Sequence, residues 1–304
     1  MNNLSNLYPC LDSIKKNTGA NIEILVVAYL FSEKNLQMLK NDYPWIHLVE
    51  SNDYRGFSEN NNLALSIAKG EYCLILNDDT LFEMPVIELL VNSFSNLPSN
   101  VAVVSPVTLN SDGSIQRNGK PRYDLFTRLL CFIHLISIYD KYSKYTNREG
   151  LYQTYNLSGA CFMIRTAVFR KVGWFDERYF FCPEDIALST KLNELGYSCY
   201  VNTSARVIHL GGKSSSSISY ATKPTAEMGD KIFYCGDSLL KRFFFVSISL
   251  FFHFFKMLVW FFLFVLFRTK KSKNMCMAHY NTLITIPTNK APKDIFVKFY
   301  QKNG

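Results

Sequence analysis

The chain has 304 residues, 48% hydrophobic and 19% charged, which excludes global disorder and leaves room for one large α/β domain or two small ones. Its formal net charge of +8 belongs mostly to one end: from Arg268 onward, eight Lys and Arg face the single acid Asp294. Eight cysteines are scattered without a C-x-x-C pair, and Cys73 and Cys161 sit in apolar runs, which excludes a zinc finger or disulfide framework and fits a reduced compartment.

Met1 to Lys16 lacks the basic start and apolar core of a signal peptide. Leu4, Leu7, Leu11 and Ile14 recur at helical spacing and predict a helix over Leu4 to Asn17. Asn21 to Ala28 reads as a strand apolar enough for burial on both faces. Ser32 caps a helix to Asp42, and Trp45 to Glu50 is a second strand. A Ser-capped helix follows over Ser58 to Lys69, stopped by Gly70. Glu71 to Leu76 is a third strand, Pro85 to Asn96 a helix, Val101 to Ser105 a fourth strand, and Ser111-Asp112-Gly113 a turn. This alternation predicts βαβ units and a mostly parallel sheet.

Tyr123 to Tyr152 is less regular; the apolar run Leu129 to Ile138 fits a core helix better than a membrane-lying one. Tyr155 to Arg165 predicts a strand pair, Thr166 to Val172 a short helix, and Ile186 to Leu195 an amphipathic helix stopped by Gly196. Cys199 to Asn202 and Ala205 to His209 read as strands, and the Ser-rich stretch Lys213 to Ser219 as mobile. Phe243 to Phe267 is Phe-rich and long enough to cross a bilayer, with His253 and Lys256 as its polar interruptions. Lys241 and Arg242 precede it and Arg268, Lys270 and Lys271 follow, flanks that favour anionic lipid; spanning and lying on the surface are both open.

Four clusters carry chemistry. Arg55-Gly56-Phe57-Ser58 with Asn60, Asn61 and Asn62 lies between a strand and a helix N-terminus, where phosphate binds readily. Asn77-Asp78-Asp79-Thr80 puts carboxylates at the C-terminal end of a buried strand, where open α/β sheets bind ligands. Glu184-Asp185 opens a helix and supplies a candidate general base. His209 ends a strand beside Gly211 and Gly212. Each cluster alone also has a plainer reading: a loop, a solvated turn, a helix cap, a structural histidine.

Taken in order, the clusters resemble family 2 glycosyltransferases with a GT-A fold. The resemblance runs through Arg55-Gly56-Phe57, Asn61-Asn62, Lys69-Gly70-Glu71-Tyr72, Leu76 to Thr80, Asp112 to Gln116, Ser158-Gly159-Ala160, Val172 to Glu177, Glu184-Asp185 and His209, over residues 4–240. Within that family the pattern is most similar to the bacterial rhamnosyltransferase-like group of O-antigen and capsule assembly. The resemblance implies an α/β fold with a mixed sheet, helices on both faces and an inverting transfer from a nucleotide-diphosphate sugar. It implies Asp79 and His209 as ligands of Mg²⁺ or Mn²⁺, and Asp185 as the base with Glu184 beside it. It places Arg55, Gly56, Asn61, Asn62, Asn77, Asp78, Ser158 and Gly159 around the donor.

The implied organisation is a glycosyltransferase domain over 1–240, a membrane-associated helix over 241–271 and a basic tail over 272–304. The implied acceptor is a saccharide on polyprenyl diphosphate at the cytoplasmic face of a bacterial inner membrane, with no nucleic-acid partner. The pattern departs from the family in three places. The usual opening strand is absent before the first helix, Asn77 holds the first position of the D-x-D motif, and Tyr29 stands where many relatives carry an Asp that reads the base. These departures leave a second expectation: a catalytically impaired, membrane-bound protein that acts as a binding or scaffold partner.

Overall fold

The structure is a computed structural model that describes residues 3–116, 119–146, 148–211 and 216–303. Strands β1 (Leu25–Tyr29) and β2 (His47–Ser51) pair in parallel as a small sheet of their own. The larger, mixed sheet contains β3 (Tyr72–Leu76), β4 (Thr80–Phe82), β5 (Val101–Leu109), β6 (Leu151–Thr154), β7 (Cys161–Arg165) and β8 (Ser198–His209). Its order is β3-β7-β5-β8-β4, with β6 also on β8. The Val101–Val104 run of β5 is fully buried, as expected of a central strand covered on both faces.

Helices α1 (Leu4–Asn17) and α4 (Val86–Ser95) cover one face: Ile14, Leu90 and Phe94 pack on Val104, Met163 and Val207. On the opposite face, α3 (Phe57–Leu65), α7 (Thr166–Lys171) and α8 (Glu184–Glu194) bring Leu65, Phe169 and Leu192 onto Ile75, Val103 and Phe162. Each such side chain contributes about 1.5–3 kcal/mol through burial. Helix α2 (Glu33–Asp42) packs Leu39 against Leu7 and Leu11 of α1 beside the small sheet.

The break between the sheets falls between β1 and β3. The Glu23 carboxylate accepts the Lys69 and Gly70 N–H groups at 2.6 and 3.1 Å, holding the N-terminal ends of the two strands together. Among the described residues no ladder joins them, and most side chains of both stay half-buried. Among the described residues β1 pairs only with β2, and β3 only with β7.

Several elements differ from the sequence reading. Gly56, not Ser58, is the N-cap of α3; Ser58 lies buried in its first turn, and the helix ends at Leu65. The two expected strands at 199–209 are one, because a bulge opposite Pro106 and Val107 absorbs the extra residues. Of the strand pair expected over Tyr155 to Arg165 only β7 lies in that range; β6 ends at Thr154 and pairs with β8, not with β7. Leu129 to Ile138 is no single core helix: it divides between α5 (Leu125–Phe132) and α6 (Ile136–Lys141), with Ile133, Leu135 and Ile138 exposed. Within the Ser-rich stretch, Ser216–Ile218 form a 3₁₀ turn, while 213–215 lie outside the described residues.

The C-terminal third is helical: α9 (Ser219–Cys235), α10 (Leu239–Phe267), α11 (Lys270–Thr285) and α12 (Pro292–Asn303). Met228 of α9 and Ile295, Phe296 and Phe299 of α12 close around Phe180, so the segment expected as a basic tail packs onto the sheet domain.

Candidate active site

The C-terminal end of β3 and the start of β7 bring the two carboxylate clusters to one edge of the sheet. Leu76 pairs with Cys161, and the Asn77 N–H donates to the Ala160 carbonyl at 3.0 Å. Two residues beyond Asn77 lies Asp79. One residue before Ala160, the Gly159 N–H donates to Asp185 Oδ2 at 2.9 Å. The backbone therefore fixes both clusters relative to one hydrogen-bonded pair of strands.

Asp79 is 8% exposed and sits in the tight turn into β4. Thr80 closes that turn by donating from Oγ1 to the Asn77 carbonyl at 2.7 Å, and pairs across the sheet with His209. His209 Nε2 lies 3.3 Å from Asp79 Oδ1, with Asn77 Nδ2 3.5 Å from the same ring nitrogen. Gln116, a residue the sequence reading did not assign to the site, sets the ring. Its Nε2 donates to the His209 carbonyl and to Asn110 Oδ1, both at 2.9 Å, which leaves Oε1 to accept from His209 Nδ1 at 3.2 Å. This network assigns the ring proton to Nδ1 and leaves Nε2 as a lone pair facing a carboxylate oxygen. Two acceptors that close fit a cation. Among the described residues no three His, Cys, Asp or Glu converge on one point, so diphosphate oxygens and water would complete the ion's shell. Asp78 is half-buried, and burial together with Asp79 pushes its carboxyl up.

Asp185 lies in the first turn of α8, where the helix dipole favours negative charge. Its Oδ2 takes the Gly159 N–H and its Oδ1 the Ile186 N–H at 2.8 Å, two bonds that fix the orientation of the side chain. Glu184 beside it is 8% exposed, and its Oε2 has no hydrogen-bond partner. Burial, then the Asp185 charge, push the Glu184 carboxyl up to about 8, so near neutrality the proton of this pair sits on Glu184. The native state then binds an extra proton between pH 4.5 and about 8, and stability falls as pH rises through that window. Glu184→Gln is expected to flatten this part of the Tm–pH profile and to melt above the wild type at pH 8. An unchanged slope would remove Glu184 as its source.

The remaining predicted residues divide by what their side chains do. Arg55 donates to Ser51 and pairs with Asp53 at 3.0 Å. Asn61 donates to the Phe57 carbonyl within its own helix. Asn62 holds the 175–177 loop, donating to the Phe175 carbonyl and Glu177 and accepting from the Phe175 N–H. Both asparagine amides are thus engaged in structure. Ser158 is half-buried beside Gly159.

Gly56 packs against Phe180: a Cβ there would lie 2.3 Å from the Phe180 carbonyl oxygen, which also accepts the Phe57 N–H at 3.0 Å. Glu59 links this loop to α12, accepting the Gly56 N–H at 3.0 Å and Lys293 Nζ at 2.7 Å. Gly56→Ala is expected to lose about 1–3 kcal/mol in urea unfolding, since backbone must move to admit the methyl. Wild-type stability would contradict this contact.

Comparisons with known proteins bear on this geometry. Residues 1–173 match the family "Glycosyl transferase family 2". A 53-residue stretch is 43% identical to N-acetylglucosaminyl-diphospho-decaprenol L-rhamnosyltransferase of Mycobacterium tuberculosis, in strains CDC 1551 / Oshkosh and ATCC 25618 / H37Rv; it covers 17% of this chain and 17% of those proteins. GalNAc-T7, solved with UDP, GalNAc and Mn²⁺, superposes with a TM-score of 0.53 at 16% identity, over 68% of this chain and 41% of that one. The mannosyltransferase PcManGT of Pyrobaculum calidifontis, solved with GDP-Man and Mn²⁺, gives 0.53 at 14% identity, over 100% of this chain and 85% of that one. Both likenesses are of fold, and that fold is GT-A. With more than half its length matched, the chain belongs to glycosyl transferase family 2, and it is a glycosyltransferase.

Proposed function

We propose that the chain moves a sugar, with inversion, from a nucleotide-diphosphate donor to a hydroxyl of a lipid-linked saccharide in surface polysaccharide assembly. The donor class is a dTDP-rhamnose-like or UDP-linked sugar, and the acceptor a saccharide on polyprenyl diphosphate. The observation that carries this reading is Asp185, whose side chain takes the Gly159 N–H beside the β3–β7 pair that leads into Asp79, while His209 reaches Asp79 from the β4–β8 pair.

Asp185 takes the proton of the acceptor hydroxyl as that oxygen attacks the anomeric carbon on the face opposite the nucleotide. A single base, with Glu184 neutral beside it, calls for direct displacement and hence inversion. Asp79 and the Nε2 lone pair of His209 fit Mg²⁺ or Mn²⁺, whose charge, when bound, stabilises the leaving diphosphate. The N-terminal turns of α3, from Gly56 to Asn62, and the Ser158–Gly159 turn are the segments assigned to the donor. The partial rhamnosyltransferase match supports the lipid-linked acceptor, and the Mn²⁺ and nucleotide ligands of the solved neighbours support the donor and the ion. The apolar helix α10 supports a place at the cytoplasmic face of a bacterial inner membrane.

A panel of UDP-, dTDP- and GDP-sugars with Mg²⁺ or Mn²⁺ and membrane lipid acceptors tests the reading. Turnover of one donor into a lipid-linked product is expected. Silence across the panel, with no nucleotide binding, would favour the scaffold reading instead.

A further inference from the structure

We infer that the chain seats on one leaflet of an anionic bilayer as a monotopic protein, through a surface that α10 shares with the α5–α6 turn, and that α10 does not cross. The inference deepens the membrane association proposed above and rests on it. Only 6% of the most apolar window of α10 is buried, so this is not the core helix of a soluble fold. One stripe, Phe245, Ser249 and His253, faces inward. Phe243, Phe251, Phe255, Phe262 and Leu266 face outward.

The polar residues that complicated the sequence reading lie on the inner side. His253 is 3% exposed; its Nδ1 lies 2.9 Å from Nδ1 of His279 in α11, and its Nε2 3.6 Å from Glu227 of α9. Lys256 donates to the Phe132 carbonyl at the end of α5 at 3.4 Å. Neither side chain needs to be placed in hydrocarbon.

The path of the chain argues against crossing. After Phe267, Arg268 adopts a left-handed conformation and Thr269 caps α11, which turns back along the distal half of α10. That returning helix buries Ser272, His279, Asn281 and Thr282 and exposes Lys270, Lys271 and Lys273. A crossing α10 would carry this polar helix and the basic turn through the bilayer, at a cost of several kcal/mol. Helix α12 then docks on the sheet domain, with Phe296 4.8 Å from Phe180, which also packs with α9. The hairpin leaves the domain and returns to the same side of it.

The second part of the surface is the segment expected in the core. Phe132 stacks on Phe252 at 5.3 Å and packs edge-on against Phe245 and His253, which holds the end of α5 against the flank of α10. Directly after it Ile133, Leu135 and Ile138 are exposed, as are Tyr139 and Tyr142, residues suited to the headgroup level. Basic residues sit at both ends of α10, with Lys241 and Arg242 at one and Arg268, Lys270, Lys271 and Lys273 at the other, matching an anionic surface contacted along the helix. The exposed residues of the α5–α6 turn follow directly on Phe132, which packs on α10, and basic residues stand at both ends of α10, which selects a lipid surface over a second copy of an equally basic chain.

The test uses the full chain with vesicles of phosphatidylethanolamine and phosphatidylglycerol, read by sedimentation. Wild-type binding with a loss of roughly tenfold or more in the double variant Ile133→Asp, Leu135→Asp is expected, since α10 itself is untouched. Circular dichroism and Tm establish that the variant is folded; a less disruptive pair, Ile133→Ser and Leu135→Ser, should show the same direction. Equal binding by folded variants would overturn the two-part surface. Failure of the wild type to bind would instead sink the membrane reading beneath it, and a soluble dimer that buries both patches would replace the bilayer by a second copy. In spheroplasts, an epitope placed in the turn at 268–273 between α10 and α11 should resist external protease until lysis; cleavage from outside would make α10 a crossing helix.

Discussion

Replacing Asp185 by Asn should abolish transfer while leaving donor binding in place. The substitution removes a proton acceptor that the Gly159 turn and the N-terminus of α8 hold in place. It keeps an oxygen that can accept the Gly159 N–H. Loss of a positioned general base costs about 10²–10⁴ in kcat, and the donor lies on the other side of the reacting carbon. Turnover assays paired with calorimetric titration of the donor would separate the two effects. A variant that retains wild-type kcat would remove Asp185 from the chemistry; one that loses donor binding would make it a structural support of the Gly159 turn.

The second large effect is expected at Asp79. Asp79→Ala removes the carboxylate that faces the His209 lone pair, so metal-dependent binding of a nucleoside diphosphate should fall below detection while metal-independent binding persists weakly. Gln116→Leu is the milder companion. It frees the His209 ring from the acceptor that sets its tautomer and should weaken metal affinity by about 10- to 100-fold. Manganese titration in the presence of nucleoside diphosphate, followed by electron paramagnetic resonance, reads both. Equal manganese affinity in wild type and Asp79→Ala would place the ion elsewhere.

The positions of Asp79, Asp185 and His209 were legible in the sequence because each stands at the end of an element that local pattern defines. Leu74 to Leu76 announces a buried strand, so the aspartates after it must emerge at its C-terminal end. Gln116 was not legible as the partner of His209, since 93 residues separate them and only the pairing around β5, β8 and β4 brings them together. Asn61 and Asn62 are placed at the donor by the family resemblance; their amides bond to Phe57, Phe175 and Glu177, tertiary partners that local pattern cannot reveal.

The N-cap of α3 shows the same limit. Ser58 has the stronger capping propensity, yet the approach of Phe180 selects Gly56, where no side chain fits. Likewise, the apolarity of Leu129 to Ile138 marked the segment as one to be covered, and could not say by what. Only the coordinates show that Phe132 is covered by α10 while Ile133, Leu135 and Ile138 stay exposed. The break between β1 and β3, two strands bridged at one end by Glu23, is set by tertiary pairing and has no local signature in the sequence.

The measurement that bears most directly on the central claim is the anomeric configuration of the product, read by NMR from wild-type turnover of a nucleotide sugar with Mn²⁺. One base fixed at Asp185, with its neighbour Glu184 holding a proton, predicts a product inverted relative to the donor. A product of retained configuration would require a nucleophile or a second displacement that this account does not contain, and would contradict it.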